Sequence, residues 1–234
     1  MINNIKEELK STSNPQKAEI LKRFFKTGKG QYGEGDIFIG VQVPYLRKIA
    51  AKYSMIPEEE ALTLLRSPVH EERMVALFIL INKFEKGDDE VKEWIYKNYL
   101  AHTSWINNWD LVDLSADKIV GQYLSDKEKE ILYNLADSAN LWERRIAIIA
   151  TFNFIKKGNC CETFRVSELL LGDGHDLIHK AVGWMLRETG KRCSEEVLKK
   201  FLAENYKKMP RTMLRYAIER MPGQIRAQYL DGRI

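Results

Sequence analysis

From about residue 43 onward the chain is a succession of segments whose apolar residues recur at the three- and four-residue spacing of one helical face. Short breaks separate them at Pro57, Pro68, Gly87-Asp88-Asp89, Ser125-Asp126, Gly158-Asn159, Gly172-Asp173-Gly174, Met209-Pro210 and Pro222-Gly223. Several breaks carry helix-start chemistry. Pro57 precedes Glu58-Glu59-Glu60, and Ser125-Asp126 precedes Lys127-Glu128, which puts proline, capping side chains and acids where the free amides and positive end of a helix favour them. No convincing strand alternation is present, so the pattern predicts an all-α chain. The glycine-rich stretch from Thr27 to Asp36 lacks a GKS/T ending and a strand-glycine-helix context, and reads as a mobile loop rather than a phosphate cradle.

A weak internal repeat runs through the later helices. Glu72-Arg73-Met74-Val75-Ala76-Leu77 resembles Glu143-Arg144-Arg145-Ile146-Ala147-Ile148, Lys180-Ala181-Val182-Gly183-Trp184 follows, then Arg215, and Trp109 falls at the missing midpoint. The common interval of roughly 36 residues suits one helix pair per repeat, the signature of a HEAT-like α-α superhelix, or solenoid. Equivalent positions of successive repeats then form a stripe along one surface: Arg73, Trp109, Arg144 or Arg145, Lys180 and Arg215. Cations interleaved with an aromatic make a plausible seat for a nucleic-acid backbone.

Two helices carry the candidate chemistry. A helix from Asn108 to Leu124 places Val112, Ala116, Ile119, Val120 and Tyr123 on its apolar stripe. Trp109 and Asp113, four residues apart, face the same way at its edge, with Asp110 turned well away from both. A helix from Asp176 to Lys191 buries Leu177, Ala181, Val182, Met185 and Leu186, leaving Trp184 at the margin beside Lys180, Arg187 and Lys191. Each pattern also has a structural reading: a core tryptophan with an acid near a helix start, or an indole covering lysine and arginine stems. Arg145, among Leu141, Ile148, Ile149 and Phe152, needs a partner, either an acid of the next repeat or a phosphate.

Composition narrows the classes further. With 234 residues, 44% hydrophobic and 30% charged, the chain has what a folded protein needs, and a repeat array accommodates this length as a single domain over residues 1–234. The net charge of +4 agrees with an anionic partner if the cations share a face. No apolar run follows a basic N-terminal stretch and no uncharged membrane-length segment occurs, so a cytoplasmic protein without membrane contact is expected. Cys160, Cys161 and Cys193 lack metal-ligand spacing and read as free thiols. His70, His102, His175 and His179 form no HExxH pattern and read as surface or capping residues; GxSxG, P-loop and dinucleotide motifs are absent.

Five stretches together resemble one known family. They are Asn14-Pro15-Gln16-Lys17-Ala18-Glu19, Gly40-Val41-Gln42-Val43-Pro44 with Arg47, Asn108-Trp109-Asp110-Leu111-Val112-Asp113, Trp142-Glu143-Arg144-Arg145, and Lys180 through Glu188. Over most of its length the chain is similar to the AlkD-like alkylpurine DNA glycosylases, DNA alkylation repair proteins built from HEAT-like repeats. The resemblance implies that Asp113 is the catalytic carboxylate, that Trp109 and Trp184 form the aromatic cleft at the lesion, and that Arg145 contacts DNA. Phe24 departs from it, standing where a relative carries tyrosine. With Arg144, Lys180, Arg187, Lys191 and Arg215 as further DNA contacts, the expectation is a monomeric, monofunctional glycosylase. It would release cationic alkylated purines such as 3-methyladenine and 7-methylguanine from duplex DNA in base excision repair, without metal or organic cofactor. The alternative is a catalytically silent helical-repeat module that binds DNA or protein.

Overall fold

The computed structural model describes residues 1–234, which form two compact units, Met1–Ser115 and Ala116–Ile234. In the first unit, α1 (Ile2–Ser11) and α2 (Pro15–Phe24) precede α3 (Val43–Lys52), α4 (Glu58–Leu65), α5 (His70–Lys86), α6 (Asp89–Ala101) and α7 (Trp109–Ser115). The second holds a π-turn (Asp117–Gly121), α8 (Glu130–Ala136), α9 (Leu141–Ala150), α10 (Phe152–Lys156), α11 (Cys161–Leu169), α12 (Asp176–Arg192), α13 (Glu195–Asn205), α14 (Arg211–Ala217) and α15 (Gly223–Leu230). The structure is all-α, as the sequence predicts. Its only β-type pairing is an isolated bridge between Ile37 and Val69.

Local chemistry explains the boundaries. Asn14 accepts the Lys17 amide at 2.9 Å with Pro15 opening α2, Asp88 accepts the Val91 amide at 2.9 Å ahead of α6, and Pro57, Pro210 and Pro222 stand just before α4, α14 and α15. The second helices of successive pairs begin at His70, Trp109, Leu141, Asp176 and Arg211, so the helix-pair period of roughly 35 residues is real.

In the first unit α5 is the central helix, with every residue from His70 to Ile81 buried, and it packs against α3, α4, α6 and α7. In the second, α12 buries Ile178, Ala181, Val182, Met185 and Leu186 and packs against α9, α13 and α14. Each of the larger apolar side chains among them, removed from water, stabilises its unit by about 1.5–3 kcal/mol. Gly183 permits the α12–α14 approach: a Cβ there would stand 2.5 Å from the Met213 carbonyl oxygen and 2.5 Å from Tyr216 Cβ.

The helix expected from Asn108 to Leu124 is not one α-helix. It stops at Ser115, and the Gly121 amide donates five residues back to the Ala116 carbonyl at 2.9 Å. The wider turn carries Asp117 inward, where it is 4% exposed and pairs with Lys156 at 2.5 Å.

Candidate active site

The site in the first unit starts from the glycine-rich stretch. Its amides are turned inward on the stretch itself and its flank: Gly28 N–H donates to Gln31 Oε1 at 3.0 Å, Gly30 N–H to Glu34 Oε2 at 2.7 Å and Gly33 N–H to the Lys26 carbonyl at 3.1 Å. It therefore presents no amide cradle there and delivers a buried acid, Asp36. Beyond it, Ile39 and Gly40 donate their amides to the buried Glu71 carboxylate at 2.8–3.1 Å, and the Asn14 amide donates to the Ile39 carbonyl at 2.9 Å. Gly40 has φ +81° and a Cβ there would lie 2.1 Å from the Asn14 carbonyl oxygen. The Asn14-Pro15 and Gly40-Val41 stretches thus dock on each other and on α5.

Asp36 sits in a polar knot. Arg73 donates to its Oδ1 at 2.7 Å, His70 Nδ1 lies 3.2 Å from its Oδ2, and His70 Nε2 lies 2.9 Å from Asp110 Oδ2. Burial pushes the Asp36 carboxyl up, but the His70 bond and the Arg73 and His70 charges outweigh burial and hold it below its usual 3.8. Its contribution to stability is present above the ordinary carboxylate value and is lost as pH falls through the lowered one. Asn108, fully buried, receives the Trp109 amide on Oδ1 at 2.9 Å and donates to Asp36 Oδ2 at 3.4 Å.

This knot sets the start of α7, and with it Trp109. The indole is half-buried and stacks on Phe25, with centroids 5.2 Å apart and planes at 27°; exposed Phe24 meets it edge-on at 5.8 Å. Phe24, without a hydroxyl, contributes a ring edge and no hydrogen bond. Asp113 lies one turn further along α7 and is half-buried; Asp110 instead turns to His70. A cavity of about 460 Å³ opens beside this cluster, lined by residues including Phe24, Phe25, Phe38, His70 and Asp110.

In the second unit Trp184 is half-buried on α12, with its ring 6.0 Å from that of Phe152. Phe152 carries Lys156 at 4.7 Å and Arg192 at 5.3 Å from its centroid, an aromatic and cationic cluster that adds three residues to those expected. Arg145 is 5% exposed and donates to the Leu177 carbonyl at 2.5 Å. Arg144 donates to Asp173 at 2.6 Å and to the Ser138 and Ala139 carbonyls. Lys180 pairs with Asp176 at 2.7 Å and Arg187 with Glu219, while Lys191 and Arg215 are exposed.

Two expectations need correction. Arg73 is not a surface cation: it is 2% exposed, donating to Asp36 and to the Ser67 carbonyl at 3.0 Å. Arg144 repeats that device, since each arginine reaches the carbonyl six residues back and an aspartate of another loop. At these two positions the arginine therefore braces its repeat, and the cationic stripe does not include Arg73. His70 is likewise no surface or capping residue; the acids that bury it, Asp36 and Asp110, are remote in sequence. His175 does cap α12, accepting the Leu177 amide at 3.1 Å. All three thiols are free, and no group of three or more His, Cys, Asp or Glu residues is placed to hold a metal ion. No helix is long and apolar enough to cross a membrane.

Helical pairs of this kind define an all-α helical-repeat protein, with an aromatic-walled cavity in the first unit and cations on the helix of Trp184 in the second. The chain belongs to the DNA alkylation repair enzyme family, whose model matches residues 5–221. It thus has a role in the repair of alkylated DNA, with DNA as its partner. The fold matches the solved structure of a predicted DNA alkylation repair enzyme from Enterococcus faecalis, 17% identical, over 91% of this chain and 98% of that one, with a TM-score of 0.69. It is also similar to smu.31 from Streptococcus mutans UA159, 20% identical over 89% of this chain and 96% of that one, with a TM-score of 0.53. No curated protein matches the chain.

Proposed function

We propose that the protein is a monofunctional DNA glycosylase that hydrolyses the N-glycosidic bond of cationic alkylated purines, 3-methyladenine and 7-methylguanine among them, in duplex DNA. The observation that carries this reading is the pairing of Trp109 and Asp113, both half-buried and one turn apart on α7. Family membership supports DNA as substrate, and the likeness of these positions to the glycosylases' catalytic motif supports the roles.

The chemistry follows from charge. Alkylation at N3 of adenine or N7 of guanine gives the base a formal positive charge, so it departs neutral and the costly species is the deoxyribose cation. A carboxylate at Asp113 beside C1′ stabilises that oxocarbenium-like charge and orients or deprotonates the attacking water. The faces of Trp109 and Trp184 hold cationic carbon–hydrogen edges by cation–π attraction, about 0.5–2 kcal/mol each. Proton transfer and electrostatics supply what the step needs, with water as nucleophile and no cofactor.

On the DNA side, exposed Lys191 and Arg215 serve as direct phosphate contacts. Lys180 and Arg187 exchange their carboxylate partners for phosphate. Buried Arg145 and the braced Arg144 act through the backbone they hold, presenting α12 and the loop before α9 to the strand.

Incubation with duplex DNA containing 7-methylguanine, followed by chromatography of the free base, tests the reading. Release well above the spontaneous rate, with the strand left uncut until alkali is added, is the expected result. Release at the spontaneous rate sinks the enzyme and leaves a silent DNA-binding module.

A further inference from the structure

His70 is buried in the first turn of α5, 2% exposed, and both of its ring nitrogens face carboxylates. Nδ1 lies 3.2 Å from Asp36 Oδ2 and Nε2 lies 2.9 Å from Asp110 Oδ2. A neutral imidazole has one N–H, so it would have to aim a bare lone pair at one of these oxygens. Arg73 is the other donor near Nδ1, at 3.5 Å, but that same guanidinium nitrogen makes its short bond, 2.7 Å, to Asp36 Oδ1. Two donated protons on the ring leave the cluster neutral, with His70 and Arg73 balancing Asp36 and Asp110.

The groups around the ring come from every element that packs on it. The glycine-rich loop between α2 and α3 supplies Asp36, α7 supplies Asp110, and α5 itself supplies Arg73 one turn on. Glu71, next in sequence, points to the Ile39 and Gly40 amides. The remaining faces are apolar: Phe38 stacks on His70 at 4.4 Å and Phe25 lies 5.3 Å away. Phe25 in turn stacks on Trp109.

We propose that His70 is a positioning residue: a buried imidazolium clamped between Asp36 and Asp110 that fixes the first turn of α7 and, through the Phe38 and Phe25 rings, the indole of Trp109. Its catalytic consequence rests on the glycosylase reading above; its charge and its hold on Trp109 do not. Asp110 adjoins Trp109 in sequence, so the clamp grips the helix start from its polar side while the ring stack grips the indole from its apolar side. A cation within an aromatic stack also strengthens the stack.

Burial alone would push the ring's pKa down, but the charge and bond of Asp110 and the bond of Asp36 outweigh burial and the opposing Arg73 charge, raising it above 6.5. The sign sets the pH window. The clamp is complete below the ordinary histidine value and is lost as pH rises through the raised one, when one carboxylate oxygen comes to face a lone pair.

The test begins with ¹⁵N NMR titration of the native protein. At pH 6, below the ordinary histidine value, both His70 ring nitrogens are expected to carry protons, and the Trp109 indole N–H signal, identified by its loss in Trp109→Phe, is expected to move with the same alkaline midpoint. Single-turnover release of 7-methylguanine by the native protein then shows an alkaline limb at that midpoint. In His70→Gln the limb disappears and release at pH 7 falls about ten- to a hundredfold, the effect of an ångström-scale misplacement. An unprotonated ring nitrogen at pH 6, a Trp109 signal that ignores the His70 titration, or an unchanged alkaline limb in His70→Gln overturns the proposal. Coincident titrations in a protein that releases no base support the clamp and refute the glycosylase reading instead.

Discussion

Replacing Glu71 tests whether the first unit is held as described. Its two oxygens accept the Ile39 amide at 3.1 Å each and Oε1 also accepts the Gly40 amide at 2.8 Å, all beside a side chain that is 2% exposed. Glu71→Ala strands two amides, and an unmet buried donor costs about 1–3 kcal/mol. Half-buried Ile39 recovers part of that by reaching water, so the expected loss is about 3–4 kcal/mol. Glu71→Gln retains one amide oxygen as acceptor and turns an NH₂ toward the remaining donor, for about half that loss. Urea denaturation followed by far-UV circular dichroism reads both values from the displaced midpoint; if the units unfold in separate steps, the step of Met1–Ser115 alone should move. A Glu71→Ala change within about 0.5 kcal/mol of native, the range of an ordinary surface substitution, would refute the assignment. So would a Gln variant less stable than the Ala variant.

Other consequences are independent of that one. Gly183→Ala places a methyl 2.5 Å from the Met213 carbonyl oxygen, which must shift, so a loss of about 1–3 kcal/mol is expected by the same denaturation assay. A near-neutral result means α12 and α14 do not approach as closely as described. Burial and the neighbouring Cys160 push the Cys193 thiol up to about 12, whereas Cys161 is exposed. Iodoacetamide at neutral pH should therefore modify Cys161 first by mass spectrometry, and early labelling of Cys193 would contradict its setting. Lys191→Ala and Arg215→Ala should each weaken DNA binding and lower the slope of log affinity against log salt by about one. Unchanged slopes would remove those residues from the interface.

Much of the fold is legible in the sequence because helices announce themselves locally. The prolines at 57, 210 and 222 mark helix starts without reference to anything distant, and the repeat of Glu72-Arg73 by Glu143-Arg144 is a true structural repeat. What the repeat meant was not legible. An arginine at a fixed position of successive helices suits either a phosphate or a brace, and only the acids across the fold, Asp36 for Arg73 and Asp173 for Arg144, decide for the brace. The π-turn after α7 escapes periodicity for a related reason: one wide turn is stabilised by the Asp117–Lys156 pair between segments remote in sequence. In the site, Trp109 and Asp113 could be singled out because they lie one turn apart on a helix whose apolar stripe is visible. Asp36, His70, Phe25 and Phe38 could not, since they come from the residue after α2, the glycine-rich loop and its exit, and the first turn of α5.

The central claim, that a carboxylate on α7 drives release of a cationic base, is tested most directly by Asp113→Asn. The substitution keeps size and hydrogen-bonding capacity and removes the negative charge. Single-turnover release of 7-methylguanine at saturating protein should fall by about 10²–10⁴-fold, the scale of a lost proton-transfer or charge-stabilising group, while affinity for the same duplex changes little. Release by Asp113→Asn at the native rate would contradict the account.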